Sequence, residues 1–254
     1  MKKPMIMLCA ALAAFAAFAE GTNELSKAER LRMKTGGFVI DRRKASGEIV
    51  FVNAQQAVDV AALKEAAEML ERDCLVMMRV ATKPSFAFET IAAVMKEEKA
   101  RIAVFLAETD CPTTLTIAPE QGFAVVNVKA LKKDSPDADT LTRRVRREMG
   151  RAMALTVGSG YAIMGGGMLS PAFSLEELDL LPSNALTVET SSAVQRLATE
   201  RFGFKPLRRT FYVYALKEGW APPPKGAYQK ALWEQYHAKP TEPMRIEFNR
   251  EKGE

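Results

Sequence analysis

Residues 139–157, DTLTRRVRREMGRAMALTV, decide the fold of this chain. Their mainly apolar positions recur at helical spacing and share one face: Leu141, Val145, Met149, Ala152 and Thr156. Gly158 and Gly160 follow directly, and glycine ends helices because it adopts the left-handed conformation without steric penalty. The segment therefore predicts a long amphipathic helix, from about residue 139 to 157, with its arginines outside the apolar face.

Short apolar segments alternate with helical ones before this helix. Strands are predicted at 37–40, 48–52, 75–80, 102–107, 114–117 and 123–128. Helices are predicted at 60–72, with Leu63, Ala66, Ala67 and Leu70 inward, and at 85–99, capped by Ser85, with Phe88, Ile91, Ala92 and Met95 inward. This order predicts an α/β (α+β) fold, a mixed sheet with packed helices.

The chain after the long helix contains fewer regular elements. Ser174 opens a short helix, 191–202 is helical, and the aromatic segment 211–216 reads as a strand. The proline-rich residues 217–254 are predicted to form an extended tail, with a helical turn at 228–236, that wraps over apolar surface.

The first nineteen residues have the pattern of a secretory signal peptide. Lys2 and Lys3 precede an apolar stretch, and Ala17-Phe18-Ala19 matches a cleavage site. We expect cleavage before Glu20, export to a periplasm or to the outside, and one mature domain over 20–254, with a core at about 37–216. No later apolar run reaches the ~20 residues of a membrane span.

The histidine count limits the chemistry. The 254 residues contain one histidine, His237, whereas catalytic zinc sites usually take two or three. A Ser-His-Asp or Cys-His enzyme would have to use His237. Because it follows Trp233 and Tyr236 near the end of the chain, we interpret it as a packing or surface residue.

Two cysteines, Cys74 and Cys111, remain after removal of the signal peptide. They flank opposite ends of two predicted parallel strands, which are about 20 Å long. A disulfide needs Cα atoms about 4.4–6.8 Å apart. The two thiols are therefore expected to stay unpaired.

Residues 147–151, Arg-Glu-Met-Gly-Arg, resemble the H-E-x-x-H zinc motif, with Glu148 in place and arginine at both histidine positions. Residues 168–179, MLSPAFSLEELD, look like the methionine turn of archaemetzincins and the helix after it. Over about 48–179 the chain thus resembles a metzincin-type, archaemetzincin-like protease core without its zinc ligands.

The departures from the family pattern imply a lost activity. Arginine offers no lone pair and stays protonated, so Arg147 and Arg151 cannot bind a metal ion. We therefore expect no metal site and no cofactor, and Glu148 marks only a remnant general-base position. The remnant cleft would be lined by Arg144, Arg147, Arg151, Tyr161 and Met168.

The resulting functional interpretation is an exported, non-catalytic protein. It would bind a peptide, protein or glycan in the remnant cleft, or serve a structural role, with no nucleic-acid partner. An alternative is a peptidase-like hydrolase that uses a non-metal site, such as Glu148 with Tyr161 or Asp179. A metalloprotease with ligands elsewhere is opposed by the histidine count.

Two interpretations of the arginines are open. In the simpler one, all five form a solvated helix face: Arg143, Arg144, Arg146, Arg147 and Arg151. In the other, Arg144 or Arg151, one turn from Glu148, neutralises that carboxylate and braces the cleft floor.

Overall fold

The protein is described by a computed structural model that covers residues 26–161 and 167–237. Within these residues the chain forms two compact units. The larger one is Asp41–Arg208, and the smaller one combines the described residues on either side of it. The predicted signal peptide, 1–19, and the end of the tail, 238–254, lie outside the described residues. The prediction of one mature domain over 20–254 stays a prediction.

Between residues 48 and 202 the predicted strands and helices appear in the predicted order, with one additional short helix at Val128–Leu131. The strands are β1 (Phe38–Asp41), β2 (Glu48–Ala54), β3 (Met77–Lys83), β4 (Ile102–Ala107), β5 (Leu115–Ala118), β6 (Phe123–Asn127) and β7 (Arg208–Phe211). The helices are α1 (Lys27–Thr35), α2 (Val60–Cys74), α3 (Ile91–Glu97), α4 (Val128–Leu131), α5 (Ala138–Val157), α6 (Leu175–Asp179), α7 (Val188–Phe202), α8 (Tyr212–Lys217) and α9 (Ala227–His237).

The larger unit is built on a mixed five-stranded sheet in the order β3-β2-β4-β6-β5. The first four strands in this order are parallel, and β5 pairs antiparallel with β6. Every residue of β4 is buried, because helices cover both faces of the sheet. The predicted α/β fold is confirmed.

Alternate side chains along the central strands point to opposite faces of the sheet, and each face has its own hydrophobic core. Phe51 and Val104 face the larger core, beneath α2, α5 and α7. Val52 and Phe105 face a smaller core, beneath α3. This follows from the two-residue period of a strand. The predicted inner face of α2 is confirmed, since Leu63, Ala66, Ala67 and Leu70 are all buried.

The helix predicted at 85–99 is wrong in its start and in part of its inner face. A 3₁₀ turn at Phe88–Thr90 precedes α3, and Ser85 caps neither. Phe88 and Ala92 are exposed, whereas Ile91 is buried. The reason is that Phe86, two residues upstream, packs against Phe105 of the sheet and takes the place expected for Phe88.

The smaller unit corrects the strand predicted at 211–216. Residues 208–211 form β7, which pairs with β1, and the chain then turns into helix α8. Tyr212, Ala215 and Leu216 are buried at helical spacing, so packing overrides their aromatic and β-like composition. The tail residues Trp220 and Trp233 pack against this cluster, and α9 is longer than the expected turn.

Both described cysteines are free, as expected. Cys74 lies buried at the end of α2, and burial raises the pKa of its thiol to about 12. Strand β2 separates the two strands that the cysteines flank. None of the helices within 26–161 and 167–237 has the length and hydropathy needed to cross a membrane.

Candidate functional site

Helix α5 positions the residues of the candidate site. It begins after Asp137, whose carboxylate caps the first turn, and ends at Gly158, whose φ of 97° only glycine adopts freely. The helix lies across β4, β5 and β6. Because a turn takes 3.6 residues, Arg144, Arg147 and Arg151 fall on one stripe. The predicted helix is confirmed to within one residue.

The arginines do not form one solvated face. Arg144, Arg147 and Arg151 are 2%, 5% and 3% exposed. Arg143 is exposed and Arg146 partly buried. The simpler of the two interpretations is therefore wrong for the three stripe residues. Buried guanidinium groups need partners, because charge transferred out of water is costly unless it is paired or hydrogen bonded.

Glu148 is buried beside the stripe and is 2% exposed. Its Oε2 lies 3.4 Å from Nε of Arg151, and its Oε1 accepts a hydrogen bond from the Thr114 hydroxyl at 3.3 Å. Burial raises the pKa of Glu148, and Arg151 and Thr114 oppose this shift. Of the two neighbours expected to neutralise Glu148, Arg151 is the one that lies within ion-pair distance of it.

Arg151 joins Glu148 to the segment that follows the helix. Its Nη1 donates to the carbonyl of Ser170 at 2.6 Å. Its guanidinium carbon lies 5.5 Å from the ring centroid of Tyr161, within the range of cation–π attraction. Glu148 Oε2 and Arg151 Nε are both buried, and neither has a hydrogen-bond partner among the described residues.

Arg144 is bound by two other carboxylates. Nη1 and Nη2 donate to both oxygens of Asp134 at 2.6 and 2.7 Å, and Nε and Nη2 donate to Asp179. Nη1 also reaches the carbonyl of Leu131. These partners raise the pKa of Arg144, and Arg144 in turn lowers the pKa of Asp134. Arg144 thus ties the loop before α5 to the end of α6.

Arg147 holds the chain around the end of α6 by hydrogen bonds to uncharged groups. Nη1 donates to the carbonyls of Leu178 and Asp179, Nη2 to the carbonyl of Leu181, and Nε to Oδ1 of Asn184. Burial lowers the pKa of this guanidinium. A cation at the carboxyl end of a helix is favourable, because carbonyls there lack partners within the helix.

Met168 packs directly against α5. It is buried, and a Cβ added at Gly150 would lie 1.9 Å from the Met168 sulfur. A side chain at position 150 would therefore force Met168 to move. This contact places Met168 against the same segment of α5, residues 147–151, that carries Arg147 and Arg151.

The residues present do not fit the zinc ion that the resemblance implies. The two histidine positions carry Arg147 and Arg151, which are donors only and already contact carbonyls. Within 26–161 and 167–237, no group of three His, Cys, Asp or Glu residues is arranged to hold a metal ion.

The other predicted catalytic groups have structural partners. Asp179 is bound by Arg144, and Tyr161 lies beside Arg151. His237 stacks on Trp233 with ring centroids 4.3 Å apart and contacts the Trp233 carbonyl, so it packs on its own helix.

Sequence reasoning missed three residues of the site: Thr114, Asp134 and Asn184. Their partners on α5 lie 34, 10 and 37 residues away along the chain. Periodicity reports only local neighbours, so it carried no signal for these contacts.

Comparison with known proteins gave structural matches only. No family model matches the chain, and no curated protein matches it in sequence. An archaemetzincin from Methanopyrus kandleri superposes with a TM-score of 0.50 at 17% identity, covering 62% of this chain and 98% of that one.

Two further solved structures are similar at lower scores. A zinc-dependent peptidase from Methanocorpusculum labreanum has a TM-score of 0.46 at 13% identity, covering 58% of this chain and all of that chain. An archaemetzincin from Archaeoglobus fulgidus has a TM-score of 0.43 at 12% identity, covering 57% and 99%. At these identities the likeness concerns the fold and not the activity. The sheet, the long helix α5 and the Methanopyrus match together show that this chain has an archaemetzincin-like fold.

Proposed function

We propose that this chain is a non-catalytic member of the archaemetzincin-like fold, in which buried arginines replace metal chemistry with a structural role. The observation that carries the proposal is Arg147. It occupies the first histidine position and donates to three backbone carbonyls and to Asn184. Because this position carries a hydrogen-bonded guanidinium, it supplies no ligand for a metal ion, and without a bound metal ion no water is activated there.

The metal content of the purified mature protein tests this proposal, together with cleavage of a peptide library with and without a chelator. We expect substoichiometric zinc and no chelator-sensitive cleavage. Stoichiometric, tightly bound zinc would overturn the proposal, and so would cleavage that a chelator abolishes.

A binding role for the remnant cleft is the second part of the proposal, with Arg144, Arg147, Arg151, Tyr161 and Met168 as its candidate residues. Of the candidate ligands, peptide, protein or glycan, an extended peptide has a specific observation in its favour. Strand β5 is an edge of the described sheet, and it follows directly on Thr114, which contacts Glu148. A peptide adds to such an edge by main-chain hydrogen bonds.

Amide NMR shifts on titration with a random peptide library test this role. Perturbation of β5 amides, with β3 amides at the opposite edge unchanged, would support peptide binding. Equal shifts at both edges, or none, would contradict it.

A hydrolase without a metal ion is the alternative. Its supporting observation is that burial raises the pKa of Glu148, since a raised carboxyl pKa suits a general acid or base. Cleavage that resists chelator and disappears in Glu148→Gln would establish this alternative. Retention of cleavage in Glu148→Gln would exclude Glu148 from it.

Export completes the proposal. It rests on the sequence pattern of residues 1–19, and expression in a bacterium followed by amino-terminal sequencing tests it. A mature chain beginning at Glu20 in the periplasm or medium is expected.

A further inference from the structure

A pocket of about 240 Å³ lies between α2 and the first half of α5, on the larger unit. Its floor consists of core side chains, Leu63, Val145 and Met149, which are at most 4% exposed. Pockets for drug-sized ligands have volumes of about 300–1,000 Å³. This one therefore suits a smaller, mainly apolar molecule. None of the residues at the candidate site on the other side of α5 lines it.

Two cationic residues, Lys132 and Arg146, are among those that line this mainly apolar pocket. Asp59 is the acidic residue there, and its carboxylate is committed to capping α2 through the amide of Ala62, at 2.8 Å. The apolar floor favours a ligand with an apolar body, and the two cations favour an anionic group at its end.

Arg146 is held only loosely. Its Nη2 lies 3.6 Å from Glu65, whose side chain is 70% exposed, and its Nε is buried with no hydrogen-bond partner among the described residues. Buried polar groups normally have partners. Lys132 pairs with Glu108, a side chain that is 44% exposed, so solvent competes for both cations.

We propose that this pocket binds a medium-chain aliphatic carboxylate, with the alkyl chain between α2 and α5 and the carboxylate at Arg146 and Lys132. The apolar floor supplies the driving force, because removal of alkyl carbons from water is favourable. The two cations select the carboxylate over a neutral head group. The inference does not depend on the function proposed for the Glu148 site.

Calorimetric titration with sodium octanoate, below its micelle concentration, tests the proposal on the whole mature chain. Saturable one-to-one binding is expected. Each methylene contributes about 0.8 kcal/mol, or about fourfold in affinity, so hexanoate, which is two methylenes shorter, should bind about fifteenfold more weakly. 1-Octanol should also bind about tenfold more weakly than octanoate, since it lacks the charge.

Three variants locate the ligand. Arg146→Gln should weaken octanoate binding about tenfold and leave octanol binding unchanged. Arg143→Gln, an exposed arginine of the same helix that does not line the pocket, is the matched control and should change neither. Ala62→Trp, which fills the pocket from α2, should abolish both; Thr142→Trp, from the α5 side, replaces it if that variant does not fold.

Absence of octanoate binding overturns the proposal, and this includes the case in which the pocket accepts only an apolar side chain of a protein partner. Equal affinity for octanol and octanoate overturns the carboxylate-binding role of Arg146 and Lys132. Undiminished binding to a folded pocket-filling variant overturns the location.

Discussion

Arg151 Nε lies 3.4 Å from Glu148 Oε2, one helical turn away, and both side chains are almost completely enclosed. This pair stands where the resemblance would place a metal ion beside a general base. A buried guanidinium with one carboxylate partner depends on that partner, because the solvent that would otherwise stabilise the charge is excluded.

Glu148→Ala should therefore destabilise the fold. Breaking a buried ion pair by removing one partner costs about 3–5 kcal/mol, since the remaining charge stays buried. Chemical denaturation measures the loss. Glu200→Ala, which removes an exposed partner of Arg196 on α7, is the control and should change stability by less than about 0.5 kcal/mol. An unchanged midpoint for Glu148→Ala would show that Arg151 does not need Glu148.

The stability of the protein should respond to the titration of Glu148. Burial raises its pKa in the folded state above the ordinary value of 4.5, so its contribution is fully present below that value and is lost as the pH rises through the folded pKa. Relative to Glu148→Gln, the wild type should lose free energy of unfolding as the pH rises above about 4.5.

Asp134 should show the opposite sign. Arg144 lowers its pKa, so its contribution is present above the unfolded value and is lost as the pH falls through the folded one. Denaturation curves of Asp134→Asn and Glu148→Gln across this pH range compare the two directions. If the difference in free energy of unfolding from the wild type changed with pH in the same direction for both variants, the opposite pKa shifts assigned to Asp134 and Glu148 would be contradicted.

Arg147→Met should cost about 3 kcal/mol or more. The change leaves the buried carbonyls of Leu178 and Leu181 without a donor, and each unsatisfied group costs about 1–3 kcal/mol. Urea denaturation compares it with Arg143→Met, the exposed neighbour on the same helix, for which little change is expected. Equal stability of the two variants would mean that Arg147 does not anchor the end of α6.

Gly150→Ala should destabilise although alanine is the better helix former. The added methyl would lie 1.9 Å from the sulfur of Met168, so this buried side chain would have to move within the core. Overpacking costs about 1–3 kcal/mol, against about 1 kcal/mol gained from helix propensity. In a Met168→Ala background, which is itself destabilised by the loss of buried side-chain atoms, Gly150→Ala should cost less, and a double-mutant cycle measures this coupling. Additive effects would place Met168 away from Gly150.

Zinc should not stabilise the protein. A ligand that binds only the folded state stabilises it by RT ln(1 + [L]/Kd), so bound zinc would raise the melting temperature. Because Arg147 and Arg151 cannot coordinate a metal ion, the melting temperature should be the same in excess zinc and in chelator. A zinc-dependent increase would require a ligand set that the two arginine positions do not supply.

The local sequence pattern was sufficient to predict much of the fold. The ends of α5 were predictable because Gly158 and the polar residues before the helix act on their own neighbours, and its apolar stripe follows from the 3.6-residue period. It was insufficient at α8, where buried Tyr212 and Leu216 sit at helical spacing in a segment whose composition favours a strand. The resemblance at 147–151 and 168–179 is confirmed at the level of the fold.

The sequence by itself determined that two arginines stand at the histidine positions, and hence that these positions cannot bind zinc, because this follows from side-chain chemistry alone. Only the tertiary structure decided what those arginines do. Arg144 and Arg147 contact Asp179 and the chain beyond it, more than 30 residues away, and Arg151 alone reaches Glu148. These partners are determined by the folded chain, in which the end of α6 and the loop before α5 lie against the three arginines and exclude water from them. Arg144 and Arg151 both lie one helical turn from Glu148, so helical spacing does not distinguish them as its partner. The tertiary contacts do, because Arg144 binds Asp134 and Asp179 whereas Arg151 lies beside Glu148.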